Sequence, residues 1–187
     1  MAMTFYPDDA PVPTELRTAE FLLRPLRAAD VDLDYEAVMT TQEALRRGSG
    51  GTWPRPDFTL EENLADLQGH EADFRARRGF TYTIMDPNET RCLGCVYAYP
   101  PEDDGDGRDR EYDAVVWFWV RPDCVAADLD RRLLAALVPW LRSDFAFARV
   151  LFRAWADDER RTTILGQAGL RVVEARPVRD TEALLFA

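Results

Sequence analysis

Lysine is absent from this chain: all 23 basic residues are arginine, set against 34 acidic residues for a formal net charge of -11. A lysine nucleophile or Schiff base is therefore excluded. Histidine occurs once, at His70, and cysteine three times, at Cys92, Cys95 and Cys124. So small and odd a cysteine count argues against a secreted disulfide framework, and a single histidine leaves a zinc site short of ligands. Long apolar runs are also missing. None approaches the ~20 residues that cross a bilayer, and MAMTFYPDDAPVPTEL lacks the basic start and apolar segment of a signal peptide. A cytoplasmic protein with no membrane partner is expected. The acidic balance likewise removes the basic footprint that nucleic-acid binding requires.

What is present suits one folded domain. The chain has 187 residues, 47% of them hydrophobic, which is enough for one sizeable core and too little for two. A proline-bearing arm over residues 1–17 is expected to order only by docking, with a single domain over residues 18–187. AEFLLRPLR reads as a strand and AADVDLDYEAVMTTQEALRR as one helix. GSGGTWPRPDF is a loop. In TLEENLADLQGHEADFRARRG, apolar Leu60, Leu64, Leu67 and Phe74 recur at helical spacing as one buried stripe, and Thr59 with Glu62 makes a capping box. His70 lies beside that stripe and is expected at the surface, since no nucleophile or ligand partner is near it in sequence.

FTYTIMD and CLGCVYAYP read as a hairpin turned by DPNETR. Within it, Cys92 and Cys95 are three apart in a strand and should face opposite sides, packing as small hydrophobes instead of sharing a metal. PPEDDGDGRDRE fails the calcium-loop pattern, because Arg108 stands where a third oxygen ligand belongs, and reads as a solvated loop. YDAVVWFWV is a strand, RRLLAALVPWLRS a helix, ARVLFRAWA a strand, DDERRTTILGQAG a short helix, and LRVVEARPV with ALLFA the closing strands. The order predicts an α+β fold in three layers, a mixed central sheet of about seven strands flanked by about four helices.

Between the most apolar strand and its following helix stands RPDCVAADLDRRLLAAL, residues 121–137. A strand feeding a helix start is a natural anion site, because free N–H groups meet the positive end of the helix dipole there. This one presents Asp128 and Asp130. By themselves the residues admit a cofactor site in unusual form, a site that has lost its cofactor, or a negatively capped helix.

Taken in order, LLRPLRAADVDLDYEAV, TLEENLADLQGH, FTYTIMD, CLGCVYAYP, WFWVRPD to LLAAL, and ILGQAGLR resemble the GNAT superfamily of acetyl-CoA-dependent N-acetyltransferases, in the branch of the ribosomal-protein alanine acetyltransferases. The resemblance runs from Leu22 to Leu170. It implies acetyl-CoA as cosubstrate, no metal, and a V-shaped opening beside the strand 115–120 that takes pantetheine along the main chain of Trp119 and Val120. The pyrophosphate would sit on the turn formed by Val125, Ala126, Ala127, Asp128, Leu129 and Asp130. In the family this turn reads Arg or Gln, two residues, Gly, one residue, Gly or Ala, so both glycine positions here are aspartate. A bare carboxylate ~4 Å from a phosphate oxygen costs roughly 4 kcal/mol at an effective dielectric near 20.

Other positions depart from the family as well. Its usual asparagine and serine correspond to Asp158 and Arg161, its tyrosine acid to Gly166, and a glutamate base to Val115, so no general acid or base is recognisable and the catalytic residues are unassigned. Glu111 and Asp113 are the nearest carboxylates. Arg131 and Arg132, one turn into the helix, are expected to pair with acidic neighbours. The resemblance implies transfer of an acetyl group to a primary amine, a small molecule or a protein N-terminus, with a homodimer common in the family. The altered turn keeps a second class open, a catalytically silent GNAT-fold protein that binds a ligand or partner, and a purely structural domain as a third.

Overall fold

In the computed structural model, which describes residues 5–49, 51–101, 111–178 and 181–187, the strand-like runs pair into one sheet. Its members are β1 (Leu16–Arg17), β2 (Leu22–Pro25), β3 (Phe80–Met85), β4 (Cys92–Tyr99), β5 (Ala114–Val120), β6 (Val150–Trp155), β7 (Val172–Val178) and β8 (Thr181–Phe186), ordered β1-β2-β3-β4-β5-β6-β8-β7. The helices are α1 (Val31–Thr40), α2 (Gln42–Gly48), α3 (Leu60–Arg75), α4 (Pro122–Ala126), α5 (Leu129–Ser143) and α6 (Glu159–Gln167). The α+β expectation holds. The eighth strand is the two-residue β1, and the extra helices come from a split helix and a one-turn segment.

All six residues of β3 are buried, as a strand covered on both faces must be. One core cluster joins Val116, Phe118 and Val120 of β5 to Leu133, Leu134, Leu137 and Leu141 of α5. The other joins Cys95 and Trp119 to Ala37 and Val38 of α1 and Leu67 of α3. Helices thus cover both faces of the sheet. The N-terminal arm contributes Tyr6, fully buried, whose hydroxyl donates to the Pro11 carbonyl and accepts from the Ala146 N–H.

Two local expectations change. The single helix expected over residues 28–47 breaks at Thr41 into α1 and α2. In α3 the capping box forms, but Leu60 is exposed and the buried positions are Asn63 and Leu67. The buried face has rotated because Asn63 donates to the buried Asp34 on α1 at 2.9 Å. A polar partner on the neighbouring helix turns an asparagine inward, and no hydrophobic pattern reveals that.

All adjacent strand pairs are antiparallel except β5 and β6. Their parallel register is Ala114↔Val150, Val115↔Leu151 and Val116↔Phe152, and it ends there. β5 continues to Val120 against β4, while β6 continues to Trp155 against β8. The two strands part, and the wedge between them opens toward their C-terminal ends. The acidic loop over residues 102–110 lies outside the described residues.

Candidate functional site

The wedge opens onto a cavity of about 990 Å³. One part of its lining comes from β5 beyond the last β6 pair, Trp117 through Val120, with Val125 of α4 and Asp130 at the start of α5. The opposite wall is the end of β6 with Asp158, Arg160 and Arg161. The far end is closed by α2, the loop bearing Trp53, and His70 of α3. Arg121, at the end of β5, ties the site to α1 through a two-pronged ion pair with Glu36, its Nη2 donating at 2.7 Å. Of the sequence-predicted residues, Trp119, Val120, Val125, Asp130 and Asp158 line this cavity, whereas Ala126, Ala127 and Asp128 are exposed beside it and Leu129 is buried in the core.

The turn before α5 has a specific backbone. Arg121 and Pro122 start the one-turn α4, and Asp128 then adopts a left-handed conformation, φ 60 and ψ 21. That conformation favours glycine and is tolerated by aspartate because its short side chain finds local hydrogen bonds. Here the aspartate does not stand alone. Arg160, reaching over from α6, donates from Nε to Asp130 Oδ2 at 2.7 Å and from Nη2 to Asp130 Oδ1 at 2.7 Å, Asp128 Oδ1 at 2.8 Å and the Val125 carbonyl at 3.1 Å. Asp130 is 1% exposed, and its Oδ1 also accepts the Arg131 N–H at 3.0 Å. Bonds to Asp130 and then to Asp128 push the Arg160 pKa further up, and the bond from Arg160 draws that of Asp128 down.

These contacts correct the electrostatic picture drawn from the sequence. Asp128 and Asp130 are not bare charges, because one guanidinium from about 30 residues away pairs with both and offsets one of the two negative charges. Arg131 approaches Asp128 only at 3.8 Å, and Arg132 pairs with Glu20 at 2.7 Å. A carboxylate of the chain itself occupies the anion position at the α5 N-terminus. Nothing adjacent in sequence marks Arg160 for this role.

Beside it, Arg161 donates from Nη1 to the Phe118 carbonyl at 2.8 Å and lies 3.7 Å from the Phe118 ring centroid, so a second guanidinium stands at the strand opening. Burial lowers its pKa. Asp158 caps α6 through the Arg161 N–H at 2.9 Å. Gly166 faces open space on the same helix. Glu111 and Asp113 are absent from the cavity lining: Glu111 pairs with Arg149, and Asp113 Oδ2 accepts the N–H groups of Ala148 and Arg149.

His70 is partly exposed, as expected, yet it has tertiary partners that the sequence does not show. It is half-buried in the cavity lining, with Nδ1 2.8 Å from the Tyr99 hydroxyl and 3.1 Å from that of Thr81. Burial pushes its pKa down, which keeps the imidazole neutral at pH 7. The tertiary contact with β3 and β4 makes the difference.

Cys92 and Cys95 pack in an apolar cluster as expected, but not on opposite sides of the strand. The β3–β4 register shifts at Ile84/Met85, so Leu93 is an extra residue in β4 and a bulge forms. Gly94 is required there, because a Cβ would stand 2.1 Å from the Trp119 carbonyl oxygen. The bulge turns both sulfurs to one side, where they and an Asp34 oxygen lie within 4.8 Å of one another. This trio closes on its own hydrogen bonds: Cys95 Sγ reaches Asp34 Oδ1 at 3.6 Å and Asn63 donates to Asp34 Oδ2. Burial raises the Asp34 pKa, and the bonds from Asn63 and Cys95 act in the opposite direction.

The chain finds no match among curated proteins. Its fold is that of solved acetyltransferases. The ribosomal-protein-S5-alanine acetyltransferase from Vibrio fischeri superposes with a TM-score of 0.72 at 14% identity, covering 93% of this chain and 95% of that one. An acetyl transferase from Salmonella typhimurium described as modifying the N-terminal serine of ribosomal protein L7/L12 gives 0.67 at 12%, covering 90% and 94%. The microcin C7 self-immunity acetyltransferase MccE, solved with acetyl-CoA and AMP, gives 0.72 at 10%, covering 96% and 98%. The acetyltransferase (GNAT) domain profile matches residues 20–171, from just before β2 to just after α6, and so includes the parted strands and the Asp128 turn. The chain belongs to the GNAT acetyltransferase family.

Proposed function

We propose that this protein is an N-acetyltransferase that takes an acetyl group from acetyl-CoA and places it on a primary amine of a small molecule or a protein N-terminus. The observation that carries the reading is the early end of β5–β6 pairing, which leaves Trp117–Val120 along a cavity that runs to a helix N-terminus with a left-handed residue at its entry. Those strand residues would hold the pantetheine arm, and the outer edge of Arg160 with the Val125–Asp130 turn would meet the pyrophosphate. Pairing of both aspartates with Arg160 reduces, without cancelling, the electrostatic cost of a phosphate at this turn. The complex of the MccE structure with acetyl-CoA supports the donor, and the ribosomal-protein acetyltransferases among the structural neighbours support a primary-amine acceptor.

Acetyl-CoA supplies a thioester carbonyl to which a neutral amine adds, with C–S cleavage releasing the thiol. The chain's contribution is to orient the amine at the wedge and to remove its proton. Cavity water does this. The test is release of free thiol from acetyl-CoA on addition of primary amines, alongside calorimetric titration with acetyl-CoA. Amine-dependent release is expected. Absence of binding at millimolar acetyl-CoA, not rescued by replacing Asp128 and Asp130 with glycine, would overturn the proposal.

A further inference from the structure

Four of the chain's five tryptophans line this one cavity: Trp53, Trp117, Trp119 and Trp155. They come from the loop after α2, from β5 and from the end of β6, and Tyr97 of β4 and His70 of α3 join them. Tyr97 and Trp117 are cross-strand partners with ring centroids 5.2 Å apart and planes within 9°. Trp155 stands against α2 so closely that a Cβ on Gly48 would lie 3.1 Å from its Nε1. The polar handles of two of these rings are turned to protein: Trp53 Nε1 donates to Asp66, and Trp119 Nε1 to the Tyr97 hydroxyl. Trp53 and Trp119 therefore offer the cavity ring carbon with their indole donors already used, while the Arg153 guanidinium, also in the lining, lies over the Trp117 ring at 4.1 Å from its centroid and 5.8 Å from that of Trp155.

We infer that the acceptor end of this cavity is a subsite for an aromatic ring, and that the acceptor is a small aromatic primary amine whose ring lodges among Trp53, Tyr97, Trp117 and Trp155 with its amine toward the β5–β6 opening. This deepens the acetyltransferase reading and rests on it for the transfer step. Aromatic ligands gain from edge-to-face and offset contacts with such rings beyond what equal apolar area gives an alkyl chain. An extended peptide, by contrast, needs main-chain donors and acceptors, which these rings do not supply. The net charge of -11 favours an ammonium-bearing ligand over a carboxylate-bearing one.

The experiment compares initial rates of thiol release with the full chain and acetyl-CoA across phenethylamine, tryptamine, hexylamine and an alanine-starting peptide. The aromatic amines should exceed hexylamine in kcat/KM by at least about tenfold, about 1.4 kcal/mol. Trp117→Leu and, as a loop variant less exposed to folding defects, Trp53→Leu should raise KM for phenethylamine several-fold. Trp53→Leu, outside the β5 residues assigned to pantetheine, should leave KM for acetyl-CoA and the rate with hexylamine little changed. Equal rates for hexylamine and phenethylamine, or a preference for the peptide, would overturn the inference while the acetyltransferase reading stands. If no amine is acetylated, calorimetry with phenethylamine alone separates the two failures. Binding that is weakened in Trp53→Leu supports the aromatic subsite without the transfer reaction, and no binding removes both.

Discussion

The N-termini of α3 and α5 are closed in opposite ways. At α3 the Thr59 hydroxyl accepts the Glu62 N–H at 3.2 Å and the Glu62 carboxylate accepts the Thr59 N–H at 2.9 Å, all within three residues. At α5 the N-cap Asp128 makes no capping bond with its own helix, and its turn is completed by Arg160, 30 residues or more away. The first closure follows from local chemistry and has one stable solution. The second is assembled by the fold around a carboxylate that fills the helix's anion position. A local cap serves the helix alone. A cap imported from α6 couples the turn before α5 to another wall of the cavity.

The largest expected effect breaks the α5 closure outright. Asp128→Gly with Asp130→Gly should raise acetyl-CoA affinity by at least about a hundredfold, ~2.7 kcal/mol, measured by calorimetry. The change empties the anion position, relaxes the left-handed residue and frees Arg160 to meet the pyrophosphate. The gain should shrink in high salt if the freed guanidinium carries it, and persist if backbone access does. Unchanged affinity would mean that this turn does not face the pyrophosphate.

Next in size is the removal of the imported partner. Arg160→Met leaves Asp130, 1% exposed, without its guanidinium. Breaking a buried pair from one side costs about 3–5 kcal/mol. Since Arg160 itself is 40% exposed, about 2 kcal/mol is expected in urea unfolding. A loss near zero would show that water replaces the arginine and that the turn is not held by α6.

The local cap should matter less and differently. Thr59→Ala should cost about 1 kcal/mol of stability and leave acetyl-CoA affinity unchanged, since α3 contributes His70 to the far end of the cavity and nothing to the donor turn. Any effect on acetyl-CoA binding would blur the contrast between the two helix starts.

The smallest effect is a pH dependence at the exposed member of the α5 cluster. The bond from Arg160 holds the Asp128 pKa below the ordinary carboxylate value. A depressed acid stabilises the fold above its unfolded pKa of ~3.9, and this contribution is lost as pH falls through the lower folded value. Asp128→Asn should therefore be less stable than the parent above ~pH 5, and the difference should fade in stronger acid. A difference that stays constant as the pH falls below the unfolded value would point to packing in place of charge.

Local pattern determined much of this protein: the strand-like runs, the Thr59–Glu62 box, the Asp86 turn between β3 and β4, and the ordered blocks by which the family is legible. These features depend on neighbours within a few residues or on alternation along one element, so physics writes them directly into sequence. The presence of Asp128 and Asp130 in the turn before α5 was legible for the same reason. Their pairing with Arg160 was not. Arg160 is one of 23 arginines, and only the packing of α6 beside α5 selects it over the nearer Arg131 and Arg132. Tertiary structure likewise decided that Asn63 turns inward to Asp34, that a one-residue bulge brings Cys92 and Cys95 to one side, and that His70 meets Tyr99 and Thr81 in a cavity wall. The convergence of four tryptophans from separate elements belongs to the same class. Each of these depends on partners far apart in the chain, whose meeting is set by sheet order and helix packing, which no periodicity records.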